Sequence, residues 1–260
     1  CGRPRAGVIG WATVTVAEVL GLFGAGMLAG VVGTVVSLAS IVSYPALLAF
    51  GLSPLSANVT NTVALTFNGL GAAAGSRPEL AGQGTRVLRL GGVTLLGGAT
   101  GAALLLATPS RTFEAIAPWL IAVASLLLIR APGGTGGLGG EGGWAARAAM
   151  FAVAVYIGYF GAAGGILMFA VLSAVLDQEP VKVNAVKNVV SSCANGVAAL
   201  GFALFGPVQW AAAAPLAAGF LLGGRLGPSI ARRLPGRALR LGTAVCGLLV
   251  AAKLGLDAYA

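Results

Sequence analysis

The chain has 260 residues, of which 57% are hydrophobic and only 9% are charged, and its formal net charge is +9. Soluble domains average about 25% charged residues, so this composition excludes an ordinary soluble protein and predicts an integral membrane protein. The basic residues lie in short gaps between apolar runs, as the positive-inside rule requires. We therefore expect the lipid bilayer, and no nucleic acid, as a partner.

Residues that commonly carry catalysis or bind metals are scarce in this sequence. There is no histidine, and the three cysteines form no CxxC pair. The usual ligands for zinc or copper and the usual general base are thus missing. We expect no metal, no cofactor and no enzymatic activity. No Met precedes Cys1, which indicates a trimmed or processed start.

A membrane-spanning helix needs about 20 mostly apolar residues, and such stretches recur along the chain. The segments predicted in the first part are A (12–31), B (34–51), C (56–75), D (90–107) and E (113–130). Glu18 lies inside A, where it either carries a coupling proton or pairs with an arginine near the interface. We favour the structural role.

The sequence APGGTGGLGGEGG at 131–143 cannot pack a core and predicts a flexible linker. It divides the chain into a first transmembrane repeat, 1–130, and a second, 144–260. In the second, GYFGAAGG at 158–165 interrupts an apolar run that is too long for one span. The segments predicted there are F (144–160), F′ (163–176), G (183–205), H (208–224) and I (239–256).

Arginine-rich loops follow segments C and H, which places these loops and the linker in the cytoplasm. The two halves then enter the membrane from opposite sides. The predicted fold is all-α and polytopic, with two inverted repeats of about five hydrophobic segments each and with broken or re-entrant helices.

Two apolar segments carry amide side chains at matching places. Asn61 and Asn68 lie in C, and a shift of 127 positions brings them onto Asn188 and Asn195 in G. Amides in hydrocarbon are costly unless they are paired. They are either hydrogen-bonded glue between helices or parts of one polar site shared by both halves. The repeated spacing favours the shared site.

Lys187 is the one cation within an apolar stretch of the second half, and two explanations for it stay open. Its ammonium either snorkels to the membrane interface or provides the counter-charge for an anion. The glycines of 158–165 likewise either pack a tight helical hairpin or present backbone amides to an anion at a helix start. Thr60, Ser191 and Ser192 add neutral donors, which suit a small oxyanion.

Three stretches resemble the sulfite exporter TauE/SafE family of membrane anion transporters. They are GLSPLSANVTNTVAL (51–65), GYFGAAGGILMFAVL (158–172) and VNAVKNVVSSCANGVAAL (183–200). The resemblance implies a bacterial inner-membrane, multi-pass permease for sulfite, sulfonates or related small organic anions. The motif residues that it implies are Asn58, Thr60, Asn61, Gly161, Gly164, Gly165, Asn184, Lys187 and Asn188, to which the amide spacing adds Asn68 and Asn195.

The first half departs from the family pattern, which has a glycine-rich break before a short helix with proline. In GVVGTVVSLASIVSYPAL (30–47), Pro45 is present, but Thr34, Val35 and Val36 replace the glycines. Ser37, Ser40 and Ser43 offer hydroxyl groups there instead.

The sequence therefore predicts a carrier that exports a small sulfur oxyanion or organosulfonate such as sulfite through a central site shared by the repeats. The alternatives are a permease for another small organic anion, a simple anion channel, and a membrane subunit or assembly factor that does not transport. A homo-oligomer is compatible with each.

Overall fold

The computed structural model describes residues 15–116, 119, 143–161 and 164–231, and every regular element in these ranges is a helix. The elements are α1 (Val16–Val36), α2 (Ala39–Ala49), α3 (Pro54–Gly75), α4 (Arg77–Leu80), α5 (Gly84–Ala107), α6 (helical residues 110–116), α7 (Trp144–Tyr159), α8 (Gly164–Val175), α9 (Pro180–Phe205) and α10 (Trp210–Ala231). The prediction of an all-α fold is confirmed.

The helices match the predicted segments in order, with ends that differ by up to seven residues. Segments A to D correspond to α1, α2, α3 and α5, and segments F to H correspond to α7 to α10. Segment I, the linker at 131–142, most of segment E and the arginines beyond position 231 lie outside the described residues. The domain boundaries predicted at the linker therefore stay a prediction.

Three of the described helices are long and apolar enough to cross a membrane. They cover Val16–Val35, Gly84–Ala107 and Pro180–Phe205. The helices α2, α7 and α8 are apolar but have only 11, 16 and 12 residues. A full span needs about 20, so these lengths agree with the predicted broken helices.

The two halves have the same order of helices, related by the shift of 127 positions that aligns the asparagines. The shift takes α2 onto α8, α3 onto α9, and α5 onto α10. The packing follows the same relation: α10 packs on α1 and α3, while its counterpart α5 packs on α7 and α9. The fold is therefore internally duplicated.

Helices α3 and α9, which are counterparts, cross each other antiparallel at the centre. Gly69 lies against Ser192, and Thr66 lies against Gly196, so the residue numbers rise along one helix as they fall along the other. An inverted repeat requires this antiparallel arrangement of counterpart helices.

Glycines allow the helix backbones to touch at the main interfaces. A Cβ atom on Gly26 would overlap the Leu216 carbonyl oxygen of α10, and one on Gly30 would lie 2.9 Å from the Gly224 nitrogen. Gly101 of α5 faces the Val155 carbonyl of α7 in the same way. Small residues stabilise membrane helix pairs because they admit close backbone packing.

The start of α1 accounts for Glu18. The Thr15 backbone nitrogen and hydroxyl both donate to the Glu18 carboxylate, at 2.7 and 2.9 Å, and the Glu18 amide donates back to Thr15 at 3.3 Å. This reciprocal capping box satisfies amide groups that the first turn leaves free. Glu18 has the structural role that we favoured, but its partner is the helix start.

We predict that Gly26→Ala destabilises the protein by about 1–3 kcal/mol, because the new methyl group enters a packed backbone contact. Gly24→Ala is the matched control in the same helix, since a Cβ at Gly24 meets nothing within 4 Å. Thermal unfolding of the purified protein in detergent measures both. Equal unfolding temperatures for the two variants would contradict the proposed packing.

Candidate functional site

A cavity of about 60 Å³ lies where α3 and α9 meet the two places at which helices are broken. Its polar lining comes from both halves of the chain. These residues are Ser37, Ser40, Asn68, Lys187, Asn188, Ser191, Ser192 and Asn195. Neither an aspartate nor a glutamate is among the lining residues that the structure describes. The cavity therefore combines one cation with neutral polar groups.

The two helix breaks touch each other beside this cavity. The first separates α1 from α2 at Ser37, which has φ of 66°. The second follows α7, where Gly161 has φ of 75°. A Cβ atom on Gly165, at the start of α8, would lie 2.8 Å from the Ser37 Cβ atom. Glycine at 165 is thus required for the close approach of the breaks.

Lys187 is buried inside the protein, with 2% of its surface exposed. Its ammonium donates to the Ser37 hydroxyl at 2.5 Å. Within the described ranges, no carboxylate lies within 4 Å of the Lys187 ammonium. The side chain therefore does not snorkel to an interface, and its charge lacks a counter-ion there. An isolated buried charge is costly, by several kcal/mol, until an opposite charge approaches.

Two neutral groups of the lining have no partner. The Asn188 side-chain nitrogen and the Ser191 hydroxyl are buried, and neither has a hydrogen bond within the described ranges. Both residues lie in α9 within one turn of Lys187. A buried donor without an acceptor costs about 1–3 kcal/mol. The cavity thus offers a charged donor and two unused neutral donors on one helix face.

The counterpart of this region in the first half is closed. The Asn61 amide donates to the Ser40 hydroxyl at 3.1 Å, and its oxygen accepts from the Ser43 hydroxyl at 2.5 Å. The hydroxyl of Thr60, the counterpart of Lys187, accepts from the Gln209 backbone amide at 3.0 Å. Neither Asn61 nor Thr60 lines the cavity. The sequence led us to expect Asn61 and Asn188 in one shared site. The structure instead places only Asn188 at the cavity.

Other predicted site residues also hold the halves together. The Asn58 amide donates to the Tyr159 carbonyl, and the Asn184 amide donates to the Thr34 carbonyl, both at 3.0 Å. Neither asparagine lines the cavity. Their hydrogen bonds are those of interhelical glue, the alternative that the sequence left open.

We predicted that the backbone amides of Gly161 and Gly164 face an anion, but both donate within the protein and are not available to one. The Gly161 amide donates to the Tyr156 carbonyl, and the Gly164 amide donates to the Gly161 carbonyl, both at 3.1 Å. A Cβ on Gly164 would lie 2.5 Å from the Ile157 side chain. Gly161 and Gly165 line the cavity, while Gly164 serves the packing of the break.

The outer asparagines of the two pairs reach the cavity together. Asn68 and Asn195 both line it, and the Asn68 oxygen lies 3.4 Å from the Thr34 hydroxyl, which donates to the Gly30 carbonyl at 2.6 Å. On α9, the seven-residue spacing thus places Asn188 and Asn195 at the same cavity. On α3, only Asn68 of the pair does so.

Ser37 and Ser191 line the cavity, but the sequence did not predict them as site residues. Ser37 was one of three hydroxyl groups in a stretch with no glycine signature, and nothing in the sequence singled it out. Ser191 was one of several polar residues in α9. The available signal was the departure of 34–36 from the glycine-rich pattern, which indicated the region but not the residue.

The described helices are apolar, three of them are long enough to cross a membrane, and a donor-lined cavity lies at two helix breaks. The chain belongs to the sulfite exporter TauE/SafE family, whose model matches residues 22–254. No curated protein and no solved structure matches the chain in the comparisons made. Family membership implies membrane transport of sulfur anions, and the family consists of transporters rather than enzymes.

We predict that Asn61→Ala lowers the stability of the protein by about 1–3 kcal/mol, because the Ser40 and Ser43 hydroxyls lose a buried partner. Thr66→Ala is a control in the same helix, since the Thr66 hydroxyl bonds only to the Thr62 carbonyl of its own helix. Thermal unfolding and transport per folded molecule are measured together. An unchanged unfolding temperature with lost transport would instead place Asn61 at the substrate.

Proposed function

We propose that this protein is a multi-pass carrier of the bacterial inner membrane that exports sulfite or a closely related small sulfur oxyanion. The cavity beside Lys187 is its central binding site, formed by both repeats. One observation carries the proposal: a buried ammonium group and two unused neutral donors face the same cavity, and no carboxylate lines it among the described residues.

The balance of donors and acceptors supports an anion as the ligand. An ammonium group has three donor positions, of which the Ser37 hydroxyl occupies one for Lys187. The Asn188 side-chain amide and the Ser191 hydroxyl add donors that have no partner in the part of the chain that the structure describes. An anion with several oxygens would satisfy all of them and neutralise the charge. A cation would meet the Lys187 charge with no counter-ion.

The size of the cavity supports a compact anion. A site needs about 10–15 Å³ to hold one water molecule, so 60 Å³ holds roughly four molecules of that size. Sulfite, with one sulfur and three oxygens, matches this volume. The cavity is open on one side, so the carbon chain of an organosulfonate could extend from it, and competition with sulfite decides between the two ligands.

Energetics and architecture support export by alternating access. An anion that leaves a cell with a negative interior gains about 2.3 kcal/mol per charge for each 100 mV, so export needs no coupling ion. Binding between broken helices at the interface of two repeats is the arrangement in which one repeat rocks against the other. The contact of Ser37 with Gly165 joins the two breaks at that interface.

We predict that Lys187→Met lowers the saturable rate of sulfite transport at least about tenfold, since it removes a charge-assisted contact to the anion. The fold should persist, because apolar replacement of a buried charge is often neutral or stabilising. Lys182→Met is the control in the same helix: the Lys182 side chain is 49% exposed and lies 3.8 Å from Glu179.

The measurement is sulfite flux in proteoliposomes at an imposed membrane potential, with organosulfonates and carboxylates as competitors. Wild-type protein and Lys182→Met should show saturable flux that sulfur oxyanions inhibit best. Equal sulfite flux in Lys187→Met and wild type would refute the site. The absence of any anion flux from folded wild-type protein would favour a non-transporting membrane subunit.

A further inference from the structure

We infer that Ser37 is a substrate-binding residue, which the first half supplies to the anion site of the second half and which pairs with Lys187 around one anion. This inference rests on the proposed function and deepens it. It assigns a donor directly after Thr34, Val35 and Val36, the residues that replace the glycines of the family pattern. The ligand class is an oxyanion with at least two free oxygens.

The backbone of Ser37 is the first observation. Ser37 has φ of 66° and ψ of 34°, and it is the one non-glycine residue with positive φ in the described part of the chain. This left-handed conformation is unfavourable for residues with a Cβ atom, and helices that end this way usually have glycine there. Strained residues cluster at binding sites, where their side chains are held in a particular direction.

The hydrogen bonding of the Ser37 hydroxyl is the second observation. Its oxygen accepts from the Lys187 ammonium at 2.5 Å, which uses one lone pair and leaves the hydroxyl hydrogen to donate elsewhere. Among the described residues, no acceptor takes this hydrogen, and Ser37 lines the cavity. The hydroxyl is thus fixed by the lysine and available to the ligand.

The facing break is the third observation. A Cβ atom on Gly165 would lie 2.8 Å from the Ser37 Cβ and 3.4 Å from its hydroxyl oxygen. Because residue 165 is a glycine without a side chain, the second half leaves room there for the Ser37 side chain. By contrast, the one hydrogen of the Ser43 hydroxyl has acceptors within the protein, the Asn61 side-chain oxygen at 2.5 Å and the Ala39 carbonyl at 3.0 Å.

Together these contacts form a fork for an oxyanion. One oxygen would accept from a free donor position of the Lys187 ammonium, and a second would accept from the Ser37 hydroxyl. Since the two residues come from different halves, the bound anion joins the first break to α9. We therefore expect Ser37 to influence affinity for oxyanions more than the rate of turnover.

The test separates the side chain from the backbone with two variants. Ser37→Ala removes the hydroxyl and keeps the strained backbone, whereas Ser37→Gly removes the hydroxyl and relieves the strain. Both should raise the KM for sulfite about tenfold or more, as expected for a lost hydrogen bond to a charged group. Ser37→Gly should unfold at a temperature no lower than Ser37→Ala. Ser173→Ala, in α8 and outside the cavity lining, is the serine control.

Initial rates of sulfite flux over a range of sulfite concentrations give KM and maximal rate for each protein. A tenfold rise in KM for both Ser37 variants, with the control unchanged, supports the inference. A wild-type KM in Ser37→Gly overturns it, whatever Ser37→Ala shows, because the effect is then one of backbone strain. If wild-type protein transports sulfite but neither Ser37 variant is altered, only this inference fails. If wild-type protein transports no anion, the proposed function fails as well.

Discussion

The central constraint on the structure is the buried ammonium group of Lys187. Among the described residues, its one hydrogen-bond partner is the Ser37 hydroxyl, and no carboxylate lies beside it. Lys187 is held between the two halves by its hydrogen bond to Ser37. A charge in this position is unfavourable unless an anion completes it. The unpartnered donors of Asn188 and Ser191 leave the same deficit of acceptors on the same helix. In the proposed site, an anion bound to Lys187 would therefore also strengthen one of the contacts between the halves.

Close backbone packing makes this arrangement possible. Helix α10 lies against α1, and α5 lies against α7, through glycines that leave no space for side chains. The short helix α2 packs on α1 and α3, and α8 packs on α7 and α9, and the breaks before these short helices touch each other. Dense glycine contacts supply van der Waals packing, the main attraction between helices in lipid, where the hydrophobic effect does not favour helix association.

Much of the fold could be predicted from the sequence, because hydropathy marks membrane segments and the shift of 127 positions marks the duplication. The asymmetry of the site could not. Asn61 and Asn188 are equivalent in the alignment of the two halves, yet Asn61 has partners in Ser40 and Ser43, while the Asn188 nitrogen has none among the residues described. Hydrogen bonding of this kind depends on contacts between distant segments, which residue spacing does not reveal. The same holds for the left-handed Ser37, whose importance follows from its contact with Lys187.

The position of a bound oxyanion would test most directly whether the cavity beside Lys187 and Ser37 is the anion site. Selenite is the heavier analogue of sulfite, and its selenium can be located by anomalous diffraction from crystals of the wild-type protein soaked with it. We expect one strong anomalous peak of selenium in the cavity, with selenite oxygens within hydrogen-bonding distance of the Lys187 ammonium and the Ser37 hydroxyl. A well-occupied selenite site elsewhere, with the cavity empty at saturating concentration, would contradict the account.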